Sequence, residues 1–303
     1  VMINSASFGY GDSETGEGIF DGSVKKPLYA RVGNPTSAQL EQSLASMDGG
    51  IGAIAASTGM GATAMATLSL LKSGDEIVSI GGLFGGTYSY FSETLKRFGI
   101  SSHFFDVDEL DAIEAAITDK TKIVFLESVG NPNMRLPDIE AIVSLANRHG
   151  VVLMVDNTIT PLSIKPIVLG ADIVVYSTTK IITGNASSLG GAVIFRAISE
   201  GEDKFKGDRY AEVHPFIQKM GKMALVANAK KRALRDFGMS ANGFGSYLTM
   251  LGLETLPLRM DRIVSSVETI AKGLEEAGFV GNHPSLPSHP HHERYKDQFL
   301  NGC

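Results

Sequence analysis

Lys180 ends the run Ile173-Val174-Val175-Tyr176-Ser177-Thr178-Thr179, with hydroxyls on alternate positions at Ser177 and Thr179 and with Gly184, Gly190 and Gly191 opening space beyond it. An amine crowded into a desolvated pocket loses basicity and becomes a nucleophile toward an aldehyde, whereas the same lysine on an open surface is only a solvated charge. Asp156 closes the apolar run Val151-Val152-Leu153-Met154-Val155. A carboxylate presented from so apolar a base needs a cation or a metal, or else a helix start to cap. The stretch Ser57-Thr58-Gly59-Met60-Gly61 places small residues at a strand-to-helix junction, where free amides can face an anion. Close packing alone would also account for such residues. From Gly59 to Ala64 they fit G-x-G-x-x-A as well, so an NAD(P)-dependent Rossmann oxidoreductase competes for them. That reading needs an acidic residue about 20 positions on, at the end of the next strand, where the chain has Ser79-Ile80-Gly81. A magnesium-nucleotide site at Asp156 would need a G-x-x-x-x-G-K-[ST] loop, and the sequence has none.

The elements that must position these groups alternate in type. Apolar runs at 51–56, 76–80, 102–106, 122–127, 151–156, 172–177 and 191–195 predict strands, several without alternation, as in a sheet covered on both faces. Helical periodicity over 61–72, 87–98, 110–117 and 137–149 falls between them, with Asp108 ahead of an acidic first turn and Pro137 at a first helical position. The fold class is therefore α/β, with a mostly parallel seven-stranded sheet sandwiched by helices. In such a sheet, ligands collect at the carboxyl ends of the strands, where the anion-binding, acidic and amine groups converge. Past residue 212 the pattern turns helical, over 223–236, 241–251 and 255–276, before a proline-rich tail from 282 to 290.

Composition narrows the function classes. With 43% hydrophobic residues, 27 Lys+Arg, 33 Asp+Glu and a net charge of −6, the 303-residue chain can bury a large core without staples and is not a broad nucleic-acid binder. The single cysteine, Cys303, forms no intrachain disulfide and no thiolate zinc cage, and no long apolar span or leader pattern is readable, so a cytoplasmic location is expected. His283, His289, His291 and His292 cluster, but intervening prolines and the lack of a nearby cysteine favour a loop, and no metal is expected.

An anion-binding helix start, an end-of-strand aspartate and a hydroxyl-flanked lysine together suit pyridoxal 5′-phosphate. Its aldehyde needs a lysine, its ring nitrogen an acid, and its phosphate a nest of amides and hydroxyls. Around these positions the chain resembles the Cys/Met-metabolism pyridoxal-phosphate enzymes, the group of cystathionine synthases, cystathionine lyases and homoserine-ester sulfhydrylases. The resemblance runs through Tyr29–Thr36, Ser57–Met60, Phe84–Tyr88, Glu127–Pro132, Val155–Thr158, Gly170–Lys180, Gly252–Met260 and His283–Pro287. It implies a fold of the aspartate-aminotransferase type (fold type I), with Lys180 as the Schiff-base lysine and proton shuttle and Asp156 beside the pyridine nitrogen. By the same resemblance Gly59, Met60, Ser177 and Thr179 hold the phosphate, Phe84 stacks on the ring, and Asn131 sits near the phenolic oxygen. Tyr29 and Arg31 reach the phosphate of a neighbouring subunit, in a homotetramer built from dimers with shared sites.

The resemblance also divides the chain into an N-terminal arm contacting a neighbour (1–48), a cofactor-binding core (49–212), a connecting helical region (213–276) and the start of a truncated small C-terminal domain (277–303). That missing domain carries the family's arginine for the substrate carboxylate. Where relatives commonly have a tyrosine on the ring this chain has Phe84, where methionine γ-lyases usually have a cysteine it has Gly86, and Ser89 stands near where cystathionine synthases often have an arginine. Asn185 replaces a histidine that frequently follows the lysine. The implied activity is γ-replacement in methionine biosynthesis, O-acetyl-L-homoserine and sulfide giving L-homocysteine and acetate. Cystathionine γ-synthase and methionine γ-lyase are the alternatives.

Overall fold

The computed structural model describes residues 1–199 and 201–299; Cys303 lies outside them. Seven strands form close to the apolar runs: β1 (Gly52–Ala56), β2 (Glu76–Ile80), β3 (Ser101–Phe105), β4 (Thr121–Glu127), β5 (Val152–Asp156), β6 (Ile173–Tyr176) and β7 (Gly191–Phe195). They build one sheet in the order β1-β7-β6-β5-β4-β2-β3. Only β7 opposes its neighbours, pairing antiparallel with both β1 and β6, so β1 still points with the parallel set. Six carboxyl ends and the start of β7 therefore share one edge.

Helices cover both faces. The first seven are α1 (Ser13–Asp21), α2 (Pro35–Asp48), α3 (Gly59–Leu68), α4 (Gly85–Ser89), α5 (Leu110–Ala115), α6 (Ile139–Arg148) and α7 (Pro166–Leu169). Starts are fixed by side-chain caps that satisfy otherwise orphaned amides. Asn34 accepts from Thr36 and Ser37 ahead of α2, and Thr58 accepts from Gly61 at 2.9 Å ahead of α3. Two expected starts differ. Asp138, not Pro137, marks the start of α6 by accepting the Ala141 amide at 3.0 Å, which leaves the proline outside the helix. Asp108 does not start α5, where Glu109 takes the cap position; its carboxylate pairs with Arg135, with Arg294 at 2.8 Å and with His291 at 3.2 Å.

The later chain carries α8 (His214–Met220), α9 (Ala224–Ala229), α10 (Arg235–Phe237), α11 (Gly243–Glu254), α12 (Leu256–Glu276) and α13 (His292–Gln298), of which α9 to α12 fall in the stretches expected to be helical. The stretch expected as one helix over 87–98 is not uniform, since α4 gives way to a widened turn at Tyr90–Thr94 and a tightened one at Leu95–Phe98. The proline-rich tail folds back and ends in α13, a helix that its sequence did not announce.

Because strand side chains alternate between faces, Ile77, Phe125, Met154 and Val175 pack under α3 and α9, while Val78, Val124, Leu153 and Val155 pack under α6 together with Tyr295 and Phe299 of the tail. A third cluster joins Leu40 and Leu44 of α2 to Leu256, Met260 and Val264 of α12 across β6 and β7. Each such side chain contributes about 1.5–3 kcal/mol on burial. Residues 35–48 thus belong to the packed core of this chain. The tail histidines His283, His289 and His291 are buried; His291 accepts the Leu136 amide at 2.9 Å through Nδ1. Asp108 is thus an acidic partner far from His291 in sequence. Among the described residues no cluster of three or more His, Cys, Asp or Glu side chains gathers as metal ligands, and no helix is long and apolar enough to cross a membrane.

Candidate active site

At the edge where the strands end, a cavity of about 420 Å³ opens. The start of α3 contributes Thr58, Gly59 and Met60, and the loop after β2 contributes Phe84. Glu127 and Asn131 enter from the end of β4, Asp156 and Thr158 from the end of β5, and Ser177, Thr179 and Lys180 from the end of β6. Eight of the ten candidate residues therefore line one space, although they come from five separate stretches of chain.

The anion end is built by close approach. A Cβ on Gly59 would lie 2.5 Å from the Ser177 Cβ, and one on Gly191 would lie 2.2 Å from the Thr58 carbonyl oxygen, so only glycine lets α3 start against the ends of β6 and β7. The Thr58 cap engages the third amide of α3, and the Gly59 and Met60 amides ahead of it belong to the turn that makes no intrahelical bond. Ser177 is anchored through its own amide, which donates to Thr158 Oγ1 at 2.8 Å. Thr179 donates to the Gly190 carbonyl at 3.1 Å and accepts the Gly190 amide at 3.0 Å.

The acidic end holds two carboxyls. β4 and β5 pair Glu127 with Asp156 directly, so both side chains meet the cavity side by side. Asp156 accepts the Thr158 amide at 2.9 Å, and burial raises its pKa; among the described residues no cation lies in ion-pair reach of it. Glu127 is 7% exposed, and burial together with the neighbouring Asp156 charge pushes it up to about 8. Behind Asp156, Asn157 donates to Tyr176 Oη at 2.8 Å and Tyr176 donates to Asp48 at 2.9 Å, a buried chain that fixes where β5 ends. Burial holds Asp48 up to about 7.

Lys180 differs from expectation in one respect. It lines the cavity but is exposed in this chain, because its outer side opens onto a second hollow lined by Gly184, Arg259 and Arg262. A desolvated amine is therefore not produced by these residues alone. Tyr29 and Arg31 do not reach the cavity; they sit together, Arg31 5.4 Å over the Tyr29 ring, with Arg31 donating to the Arg235 carbonyl beside a separate surface hollow. Asn185 is exposed and accepts the Ser187 amide at 3.1 Å.

The chain matches the family described as Cys/Met metabolism PLP-dependent enzyme over residues 1–303. It belongs to that family. It is 36% identical to a homocysteine/cysteine synthase of Saccharomyces cerevisiae over 98% of this chain and 70% of that protein, and 36% identical to O-acetyl-L-homoserine sulfhydrylase 1 of Thermus thermophilus over 90% of this chain and 67% of that protein. A solved structure from Campylobacter jejuni, named for O-acetylhomoserine (thiol)-lyase and containing N′-pyridoxyl-lysine-5′-monophosphate, superposes with a TM-score of 0.93 at 31% identity, covering 99% of this chain and 77% of that one.

The cavity fits the family's pyridoxal phosphate on its own evidence. It offers a buried carboxyl lacking a cation among the described residues for the ring nitrogen, helix-start amides for the phosphate, and a lysine in its lining. The Rossmann reading of Gly59–Ala64 is overturned. Its strand, β1, sits at the sheet edge against the antiparallel β7, whereas a dinucleotide fold puts that strand centrally beside parallel neighbours, and β2 ends without an acid. Sequence reasoning missed Glu127 and Thr158 as cavity residues. Glu127 was signalled by opening the Glu127–Pro132 stretch of the resemblance and by closing a strand whose residues 123–126 are apolar, at the same level as Asp156.

Proposed function

We propose that this protein uses pyridoxal 5′-phosphate to replace the γ-substituent of O-acetyl-L-homoserine with sulfide, giving L-homocysteine and acetate. The observation that carries the reading is the single cavity that joins Lys180, Asp156 and the open amides of α3. The names of the relatives agree with it. Phe84, where relatives commonly have a tyrosine, and Gly86, where methionine γ-lyases usually have a cysteine, favour replacement over elimination.

When bound, pyridoxal phosphate supplies an electron sink at the substrate's α carbon. Asp156 keeps the ring nitrogen protonated, because a carboxyl in so enclosed a place is stabilised by sharing a cationic proton. The amides of Gly59 and Met60 would hold the phosphate with the Ser177 hydroxyl and with that of Thr179 once turned from the Gly190 carbonyl, and Phe84 would cover the ring. Asn131 would stand near the phenolic oxygen. Lys180 is the covalent anchor and then the base, its Nζ moving protons at the α and β carbons as acetate leaves and sulfide adds. Tyr29 and Arg31 serve the phosphate of a neighbouring subunit in a homotetramer of dimers, with residues before α2 as the arm, and the subunit interface desolvates Lys180. The protein works in the cytoplasm on small-molecule substrates.

The deciding experiment is a visible spectrum before and after borohydride, with mass mapping of the modified residue, followed by assay of O-acetylhomoserine with sulfide, with cysteine, and of methionine alone. A chromophore bleached by borohydride with added mass at Lys180, and homocysteine formed from sulfide, is expected. A chain that pyridoxal phosphate cannot load defeats the cofactor assignment. Cystathionine formed from cysteine, or ketobutyrate from methionine, in preference to homocysteine defeats the assigned reaction.

A further inference from the structure

Glu127 is the one buried acid of the cavity that the reaction above leaves without a task. Its Oε1 accepts the Phe84 amide at 2.6 Å, and the Asn131 amide acts on the same carboxyl, lowering its pKa against the effect of burial. Phe84 belongs to the loop after β2 and Asn131 to the loop after β4, so a single carboxyl ties together two loops at the level where the β2–β4 ladder has already ended at Ile80 and Leu126. Neither residue is held by its own burial: Phe84 is 48% exposed and Asn131 is exposed. The Phe84 carbonyl accepts the Tyr88 amide at 3.0 Å, and a backbone amide aimed at a buried acceptor adds a restraint on the loop side, without which a loop residue keeps conformational freedom that must be lost again on binding.

The location is a demanding one for an acid. Glu127 stands opposite Asp156 in strand register and shares its enclosed surroundings, and a leucine or valine there would avoid that conflict. What an apolar residue could not do is accept the Phe84 amide and face that of Asn131.

We propose that Glu127 is a positioning residue that braces the backbone of Phe84 and Asn131, holding the ring and the amide side chain in place around bound pyridoxal phosphate. This role rests on the cofactor assignment made above. Burial and the Asp156 charge, which push Glu127 up to about 8, mean that it works near neutrality mainly as a neutral acid accepting through its carbonyl oxygen. Glutamine reproduces that acceptor, and leucine fills the space without it.

The test measures the dissociation constant for pyridoxal phosphate by equilibrium dialysis, and the visible circular dichroism of the bound cofactor, for wild type, Glu127→Gln, Glu127→Leu, Phe84→Ala and the Phe84→Ala/Glu127→Leu double variant. Thermal unfolding without cofactor identifies a variant that fails to fold. Glu127→Leu is expected to weaken binding about tenfold and to change the dichroic band, while Glu127→Gln stays within about threefold. In the Phe84→Ala background the leucine change is expected to add clearly less, because part of its effect passes through Phe84. Should Glu127→Leu misfold, Glu127→Gln against Phe84→Ala still decides, since glutamine must hold binding and the dichroic band where removal of the ring does not. Wild-type affinity and dichroism in Glu127→Leu, or a loss in Glu127→Gln as large as in Glu127→Leu, overturns the brace. Failure of the wild type itself to bind the cofactor is a separate result and overturns the cofactor assignment.

Discussion

Two aspartates on neighbouring strands meet opposite fates at the two ends of the sheet. Asp172, just before β6, is wholly buried and fully answered: Arg196 Nε reaches it at 2.6 Å, Lys204 at 2.8 Å and the Leu153 amide at 2.7 Å. Asp156, at the carboxyl end of β5, is also enclosed, yet it has one amide, a second carboxyl beside it and no cation among the described residues. A protein that can place two cations on one buried aspartate has the means to neutralise the other. Where it does not, the deficit is available to a ligand, and that contrast separates the structural end of the sheet from the chemical one.

The strongest break in the comparison is at the amine. Lys180→Ala is expected to bind pyridoxal phosphate but to lose turnover by at least about 10³-fold, checked by single-turnover assay of the loaded protein. Normal turnover in that variant would sink the mechanism. Next come the aspartates themselves. Asp172→Asn leaves the enclosed Lys204 without its carboxylate and Arg196 with Glu202 alone, and is expected to cost about 3 kcal/mol of stability in urea unfolding. Asp156→Asn is expected to leave the unliganded chain as stable as wild type, or up to about 1 kcal/mol more so, while turnover falls about 10²–10⁴-fold. Equal destabilisation by the two changes would erase the distinction.

A smaller effect is expected from pH. Glu127 and Asp156 keep their protons to higher pH folded than unfolded, so the folded chain binds more protons in the window between about 4.5 and about 8. Stability of the unliganded chain should therefore fall as pH rises through that window, and the fall should flatten in the Asp156→Asn/Glu127→Gln double variant, as followed by urea unfolding at stepped pH. At the far end of the scale, Lys206→Ala removes an exposed pair with Asp203 and should leave the unfolding midpoint unchanged.

Much of this was legible beforehand. The seven strands were placed within a residue or two, because all but β3, with its two phenylalanines, are largely apolar runs flanked by turn chemistry; of the eight cavity residues, Lys180, Asp156 and the Gly59 helix start were marked by their place at strand ends, and Phe84 and Asn131 came from the resemblance. The misses have local causes. Asp108 looks like a cap until Arg294 and His291, distant in sequence, arrive to pair with it. The tail reads as loop because its prolines come before α13, whose own seven residues show an apolar side only where Tyr295 meets the core. Lys180 looked desolvated from its hydroxyl and glycine neighbours, yet desolvation depends on what covers the outer side, and nothing in residues 177–191 specifies that.

The order of residue types along this chain determined the strands, the capped helix starts, the glycines at 59 and 191 and the presence of a lysine and an aspartate at strand ends, since each follows from local sterics and from hydrophobic period. The strand order was decided only in three dimensions. It sets β4 beside β5 and so brings Glu127 against Asp156, and it turns β7 antiparallel so that Gly191 meets Thr58. Those pairings join residues far apart in sequence, and their energy comes from burial and register across the whole sheet, which no short stretch contains.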